Sequence, residues 1–198
     1  IYAGLIAVFV LYILFVFFGG GINQINFIKS VPSIVIAPFA FANSSASIPN
    51  SIKVCSEKLG IDKKLLSFSI PLGTVLTMDG NCVMLAVSYI VFSNTLGMPI
   101  EFGHLMIAMV TIVLLSIGSP GVNGGALVSM GVMFSTLGID PNMLGVVVCV
   151  YSLMTMFVSP VNVLGDCATS FVAAARFKML KRAVYFRQKI SSKKAKTQ

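Results

Sequence analysis

Two carboxylates, Asp79 and Asp166, stand inside long apolar runs, and no Lys or Arg occurs between Lys64 and Arg176. An ionised side chain at membrane depth costs at least a few kcal/mol unless something pairs with it. With no basic partner in that stretch, such a site calls for a bound monovalent cation or a proton. Asn81 follows Asp79 by two residues; Asn162 precedes Asp166 by four, which puts both on one helix face. Gly80 weakens a helix beside Asp79 and can free backbone carbonyls to join the coordination. The hydroxyls of Ser44, Ser45, Ser47 and Ser119 lie in two small-residue breaks and complete an oxygen-rich set. Zinc or iron would draw on His or Cys. The four cysteines, Cys55, Cys82, Cys149 and Cys167, have no ligand spacing, and His104, the single histidine, sits by Glu101 in a short polar break that suits a structural role.

The elements that must carry these residues are membrane helices. The chain has 198 residues, 57% of them hydrophobic and 10% charged, with a mean hydropathy of +0.95. Soluble domains carry roughly 25% charged residues. The net charge of +8 does not point to nucleic acid, because nine of the 14 basic residues lie in 176–196 and the other five are Lys29, Lys53, Lys58, Lys63 and Lys64. Both groups flank apolar segments, the positive-inside pattern, which places them on the cytoplasmic side. The chain starts at Ile1 and is apolar from the outset, so it reads as a C-terminal piece of a longer protein.

In order, residues 1–20 form a transmembrane helix. Residues 21–64 form a cytoplasmic-side re-entrant hairpin, with a polar lead-in at 23–29. Its arms are short, 30–42 broken by Pro32 and Pro38, and 48–59 opened by Pro49. Segments of 10–14 residues suit re-entrant helices better than spans. Its serine-rich tip offers free N–H groups at a helix N-terminus, an anion site. Residues 65–95 form a transmembrane helix broken at 78–81. Residues 103–137 form a second hairpin, flanked by no basic residue and therefore entering from outside. Residues 142–175 form the last transmembrane helix, and 176–198 a basic cytoplasmic tail that meets the lipid surface. The fold class is thus an all-α membrane protein: one transmembrane helix, then an inverted repeat of re-entrant hairpin plus transmembrane helix. Such repeats place their sites where short Gly/Pro-interrupted segments match.

Three stretches carry a resemblance. Residues 71–80 (PLGTVLTMDG), 116–122 (SIGSPGV) and 161–166 (VNVLGD) resemble the dicarboxylate/amino acid:cation symporter family, which includes sodium:dicarboxylate and glutamate transporters. Residues 43–49 resemble that family's serine-rich first hairpin tip. The resemblance covers the C-terminal, transport-domain portion. It implies a sodium held by Gly73, Thr77 and Asn162 carbonyls with the Asp166 carboxylate. It implies a second at the carbonyls of Val75, Ser116, Ile117 and Ser119, and a third at Asp79 with Thr77. It implies a solute touching Ser44, Ser45, Asn81, Val122, Ser159 and Asn162, and a homotrimer formed through a scaffold part absent from this chain. Acidic amino acid transporters of the family carry an aspartate and an arginine at the positions of Thr155 and Val158, so a second carboxylate on the solute lacks its cation here.

The chain therefore reads as a non-enzymatic, secondary active transporter of the plasma (inner) membrane. It couples sodium, or a proton in its place, to symport of a small organic carboxylate or amino acid. An ion channel built on re-entrant hairpins, or a truncated inactive fragment, are the alternatives. A channel would pass current where a transporter shows saturable uptake.

Overall fold

The computed structural model describes residues 1–19, 24–119, 121 and 124–181. Eight α-helices appear among them: α1 (Tyr2–Gly19), α2 (Gln24–Phe41), α3 (Ile48–Lys58), α4 (Lys63–Leu76), α5 (Asp79–Thr95), α6 (Phe102–Ile117), α7 (Gly125–Thr136) and α8 (Leu144–Arg176). Four continuous or near-continuous stretches are long and apolar enough to cross a membrane: Tyr2–Gly19, Gln24–Phe41, Lys63–Thr95 and Pro141–Arg176. The expected all-α membrane architecture is what the chain adopts.

Two expectations are corrected. The polar stretch 23–29 is not a loop ahead of a short arm. From Gln24 onward it is helix, and α2 runs 18 residues straight through Pro32 and Pro38. The buried positions Phe27, Ser30, Val31, Ile34 and Pro38 explain this. Their spacing is one helical face, which packs on α8, with the Phe27 and Phe171 rings 5.3 Å apart. Proline is tolerated inside membrane helices because neighbouring elements re-satisfy the backbone. Ala42, with φ of 48°, ends the helix.

The second correction concerns the central break. It falls at Thr77 and Met78, not across 78–81: Thr77 has φ −106°, ψ 75° and Met78 φ −105°, ψ 51°. Asp79 is already the first residue of α5, where a carboxylate is favoured by the positive end of the helix dipole.

The apolar interior divides in two. One cluster joins Val16 of α1 with Phe27 and Ile34 of α2, Cys55 of α3, Leu66 and Ile70 of α4, and Leu164, Cys167 and Phe171 of α8. The other joins Leu5 of α1 with Met84 and Leu85 of α5, Ala108 and Ile112 of α6, Met130, Met133 and Phe134 of α7, and Val147, Val158 and Val161 of α8. Helices α1 and α8 pass through both. The polar face of α8, Ser159, Asn162 and Asp166, falls where the two clusters meet, and all three are buried. At the far end of α8, Asp62 N–H donates to Met179 and Lys181 N–H to Gly60, tying the α3–α4 connection to the chain after α8.

The candidate ion and solute site

The α4 end of the break faces α8. Thr74 and Thr77 are one helical turn apart, so both hydroxyls reach Asp166: Thr77 Oγ1 lies 2.7 Å from Oδ1 and Thr74 Oγ1 3.2 Å from Oδ2. Each hydroxyl has one proton and a competing acceptor, the Gly73 carbonyl at 2.8 Å for Thr77 and the Ile70 carbonyl at 2.9 Å for Thr74. Asp166 is 2% exposed, and among the described residues these neutral hydroxyls are its donors. Gly73 makes the approach possible, since a Cβ there would lie 2.8 Å from Asp166 Cγ.

The α5 side of the break is tied to α8 and to α6. Gly80 N–H donates to Asn162 Oδ1 at 2.7 Å. Asn162 Nδ2 donates to Met78 Sδ at 3.2 Å and to Asn81 Oδ1 at 3.4 Å. Asn81 Nδ2 in turn donates to Ser119 Oγ at 3.4 Å, while Ser116 Oγ donates to the Met78 carbonyl at 2.6 Å. Asp79 accepts from the Tyr12 hydroxyl of α1.

Gly80 thus does a different job from the one its sequence suggested. It lies within α5, and its missing Cβ is space for α8: a Cβ would lie 2.8 Å from the Val158 carbonyl and 2.9 Å from Asn162 Oδ1. Gly80→Ala should therefore push α5 off α8 and break the bond to Asn162. The expected cost is roughly 1–3 kcal/mol, read as a lowered melting temperature in detergent. An unchanged melting temperature would mean that the helices are not locked at this point.

The two tips meet. Ser45 N–H donates to the Gly121 carbonyl at 3.1 Å. Ala46 N–H donates to Asn43 Oδ1 at 3.2 Å, so these tip N–H groups are engaged rather than free. Beneath the contact lies a cavity of ≈ 20 Å³ lined by Asn43, Ser44, Asn81, Thr155, Ser159 and Asn162 together with Met78, Tyr151 and backbone at Ala42, Gly121 and Ala126. That is room for about one water, so seating an organic solute requires the tips to part. Among the described residues no Lys, Arg, Asp or Glu lines it.

Of the residues singled out for solute contact, Ser44, Asn81, Thr155, Ser159 and Asn162 are brought together here. Ser45 bridges the tips. Val158 is packed in the second apolar cluster against Gly80 rather than on the cavity. Val122 lies outside the described residues. Of the residues singled out for cations, Gly73, Thr77 and Asp166 converge, while Asn162, Ser116 and Ser119 are linked to one another through Met78 and Asn81. Asp79 is reached from α1 instead, and the side chains of Val75 and Ile117 are exposed. Sequence reasoning passed over Tyr12, Thr74, Asn43 and Tyr151. Thr74 was within reach, three residues before Thr77 and so on the same face of the chain. Tyr12 and Tyr151 have no sequence signal, because tertiary packing alone brings them in.

The family model described as "Sodium:dicarboxylate symporter family" matches residues 1–176. Among curated proteins, excitatory amino acid transporter 3 of Oryctolagus cuniculus is 30% identical over 144 residues, which is 73% of this chain and 28% of that protein. Excitatory amino acid transporter 5 of Mus musculus is 28% identical over 152 residues, 77% of this chain and 27% of that protein. An excitatory amino acid transporter of Caenorhabditis elegans is 29% identical over 144 residues. The chain spans less than a third of the length of these relatives.

Proposed function

The chain belongs to the sodium:dicarboxylate symporter family, and on that premise we propose that it is the ion- and solute-binding part of a secondary active transporter. Its cargo is sodium together with a small organic carboxylate or amino acid. One observation carries the reading. Among the described residues Asp166, buried at the junction of two apolar clusters, is met by two threonine hydroxyls, beside a neutral polar cavity shared by α5, α8 and the first tip. A carboxylate so placed gains most from a hard cation with oxygen ligands, and the Gly73 and Thr77 oxygens lie at hand for it.

The solute's carboxylate would take the N–H groups of the first tip, which Gly121 and Asn43 now occupy. Asn81 and Asn162 would add donors. Cation and solute then share Asn162 and the α4–α5 break, so each raises the affinity for the other. That coupling free energy is what lets a sodium gradient drive uptake. The relatives named for excitatory amino acids favour an amino acid or a small carboxylate as the class.

In this reading residues 21–64 and 103–137 enter the bilayer from opposite sides. The basic residues put the tail in the cytoplasm of a plasma (inner) membrane. Assembly as a trimer would run through parts of the protein outside this chain. The test is uptake into liposomes carrying the full-length protein. Saturable uptake of labelled amino acids or carboxylates, dependent on an inward sodium gradient, supports symport. Passive, unsaturable current would replace it with a channel.

A further inference from the structure

Helix α1 has no part in any motif, yet it reaches the site. Three glycines dock it closely against its neighbours. A Cβ at Gly4 would lie 2.7 Å from Val83 Cγ1 of α5, and one at Gly19 2.8 Å from Val172 Cγ1 of α8. Between these, Tyr12 crosses over Gly165 of α8, where a Cβ would collide with the phenol oxygen and lie 3.0 Å from Cε2. Small residues at helix contacts allow such close approach in membranes. The phenol is therefore carried to a set place by the docking of a whole helix, and its hydroxyl donates to Asp79 Oδ2. Among the described residues Asp79 Oδ1 accepts no hydrogen bond.

Asp79 needs such a partner. It is the first residue of α5, so the positive end of its own helix competes for the carboxylate. A donor on α1 that takes Oδ2 holds the carboxylate against that pull and leaves Oδ1 without a hydrogen bond among the described residues. We propose that Tyr12 is the positioning residue of a cation site at Asp79, seated by Gly165, and that it sets sodium affinity without itself contacting the solute. This rests on the symport reading. It adds a residue on α1, 67 positions away in sequence, to a site otherwise built from α4, α5 and α8.

The test measures thermal shift of the full-length protein against sodium, balanced with choline, for wild type, Tyr12→Phe, Gly165→Ala and the double variant. Tyr12→Phe should raise the half-saturating sodium concentration ~10-fold, the order expected for one hydrogen bond to a charged group. Its melting temperature in choline should fall modestly, since Asp79 loses its donor; the deciding quantity is the half-saturating sodium concentration. Gly165→Ala, whose Cβ would also lie 2.5 Å from the ring Cζ that Phe keeps, should reproduce the loss of sodium affinity while Tyr12 is present and add little to the half-saturating concentration of Tyr12→Phe, in which no hydroxyl reaches Asp79. That non-additivity is a readout a packing role alone would not give. Wild-type sodium dependence in Tyr12→Phe, or additive losses, overturns the inference and leaves symport standing. If Tyr12→Phe does not fold, Gly165→Ala decides: unchanged sodium dependence there overturns the inference. A wild-type protein with no sodium-dependent shift overturns symport and this inference together.

Discussion

Asp166→Asn should abolish most sodium-dependent stabilisation of the full-length protein without weakening the sodium-free protein. The two effects have separate physical causes. The amide keeps the size and shape of the carboxylate, and the Thr74 and Thr77 hydroxyls can rotate to accept from it. With no cation bound, the substitution removes a buried charge that has no basic partner, so stability in choline should be unchanged or slightly higher. With sodium present, the ion loses its only full negative charge at this position. Removing one member of a buried charge pair costs roughly 2–5 kcal/mol, so sodium affinity should fall ~30-fold or more. A ligand that binds only the native state stabilises it by mass action; the wild-type melting temperature should climb with sodium and that of the variant should stay nearly flat. A variant with wild-type sodium response would remove Asp166 from the ion site.

Aspartate and glutamate should bind poorly, even though the relatives are named for excitatory amino acids. The cavity contains amides, hydroxyls and backbone, and among the described residues no Lys or Arg lines it. One carboxylate can be met by the tip N–H groups with Asn81 and Asn162. A second, stripped of water, would cost several kcal/mol without a positive partner, which is ~100-fold or more in affinity. An ammonium finds neutral acceptors here, among them the Thr155 hydroxyl, whose proton goes to the Tyr151 and Ser152 carbonyls, but among the described lining residues no carboxylate to balance its charge. A monocarboxylate or a largely neutral solute fits better. Tight sodium-dependent binding of aspartate in a competition assay would sink this expectation.

The reverse experiment is more demanding than the sequence suggests. Val158 is 1% exposed and packs on Gly80, so Val158→Arg alone should be strongly destabilising. Adding Thr155→Asp, three residues earlier on the same face, supplies a partner and should recover part of the stability together with aspartate binding. Equal stability of the single and double variants would show that the two side chains do not meet.

Much of this was legible in the residues. A 10% charged, 57% hydrophobic composition leaves only membrane helices, because backbone in lipid must satisfy its own hydrogen bonds. Glycine and proline clusters at 97–99, 118–125 and 138–142 punctuate those helices where the chain turns. Carboxylates without basic neighbours, Asp79 and Asp166, can be picked out one at a time, since the cost of burying a charge does not depend on the fold. The four-residue spacing of Asn162 and Asp166 is a local rule of helix geometry.

What the residues could not disclose is who meets whom across the bundle. The break lies at Thr77 and Met78 because Asp79 starts α5 and Gly80 must press against the Val158 carbonyl. Glycine's weakness as a helix former and its usefulness in close packing are identical in sequence. α2 stays helical through two prolines because Phe27, Val31 and Ile34 find α8, which local polarity at 24–29 argues against. Tyr12 reaches Asp79 across 67 residues and Thr74 reaches Asp166 across 92. Contacts at such separations are decided by how helices dock, and docking depends on the combined shape of two surfaces, which no single stretch of chain encodes.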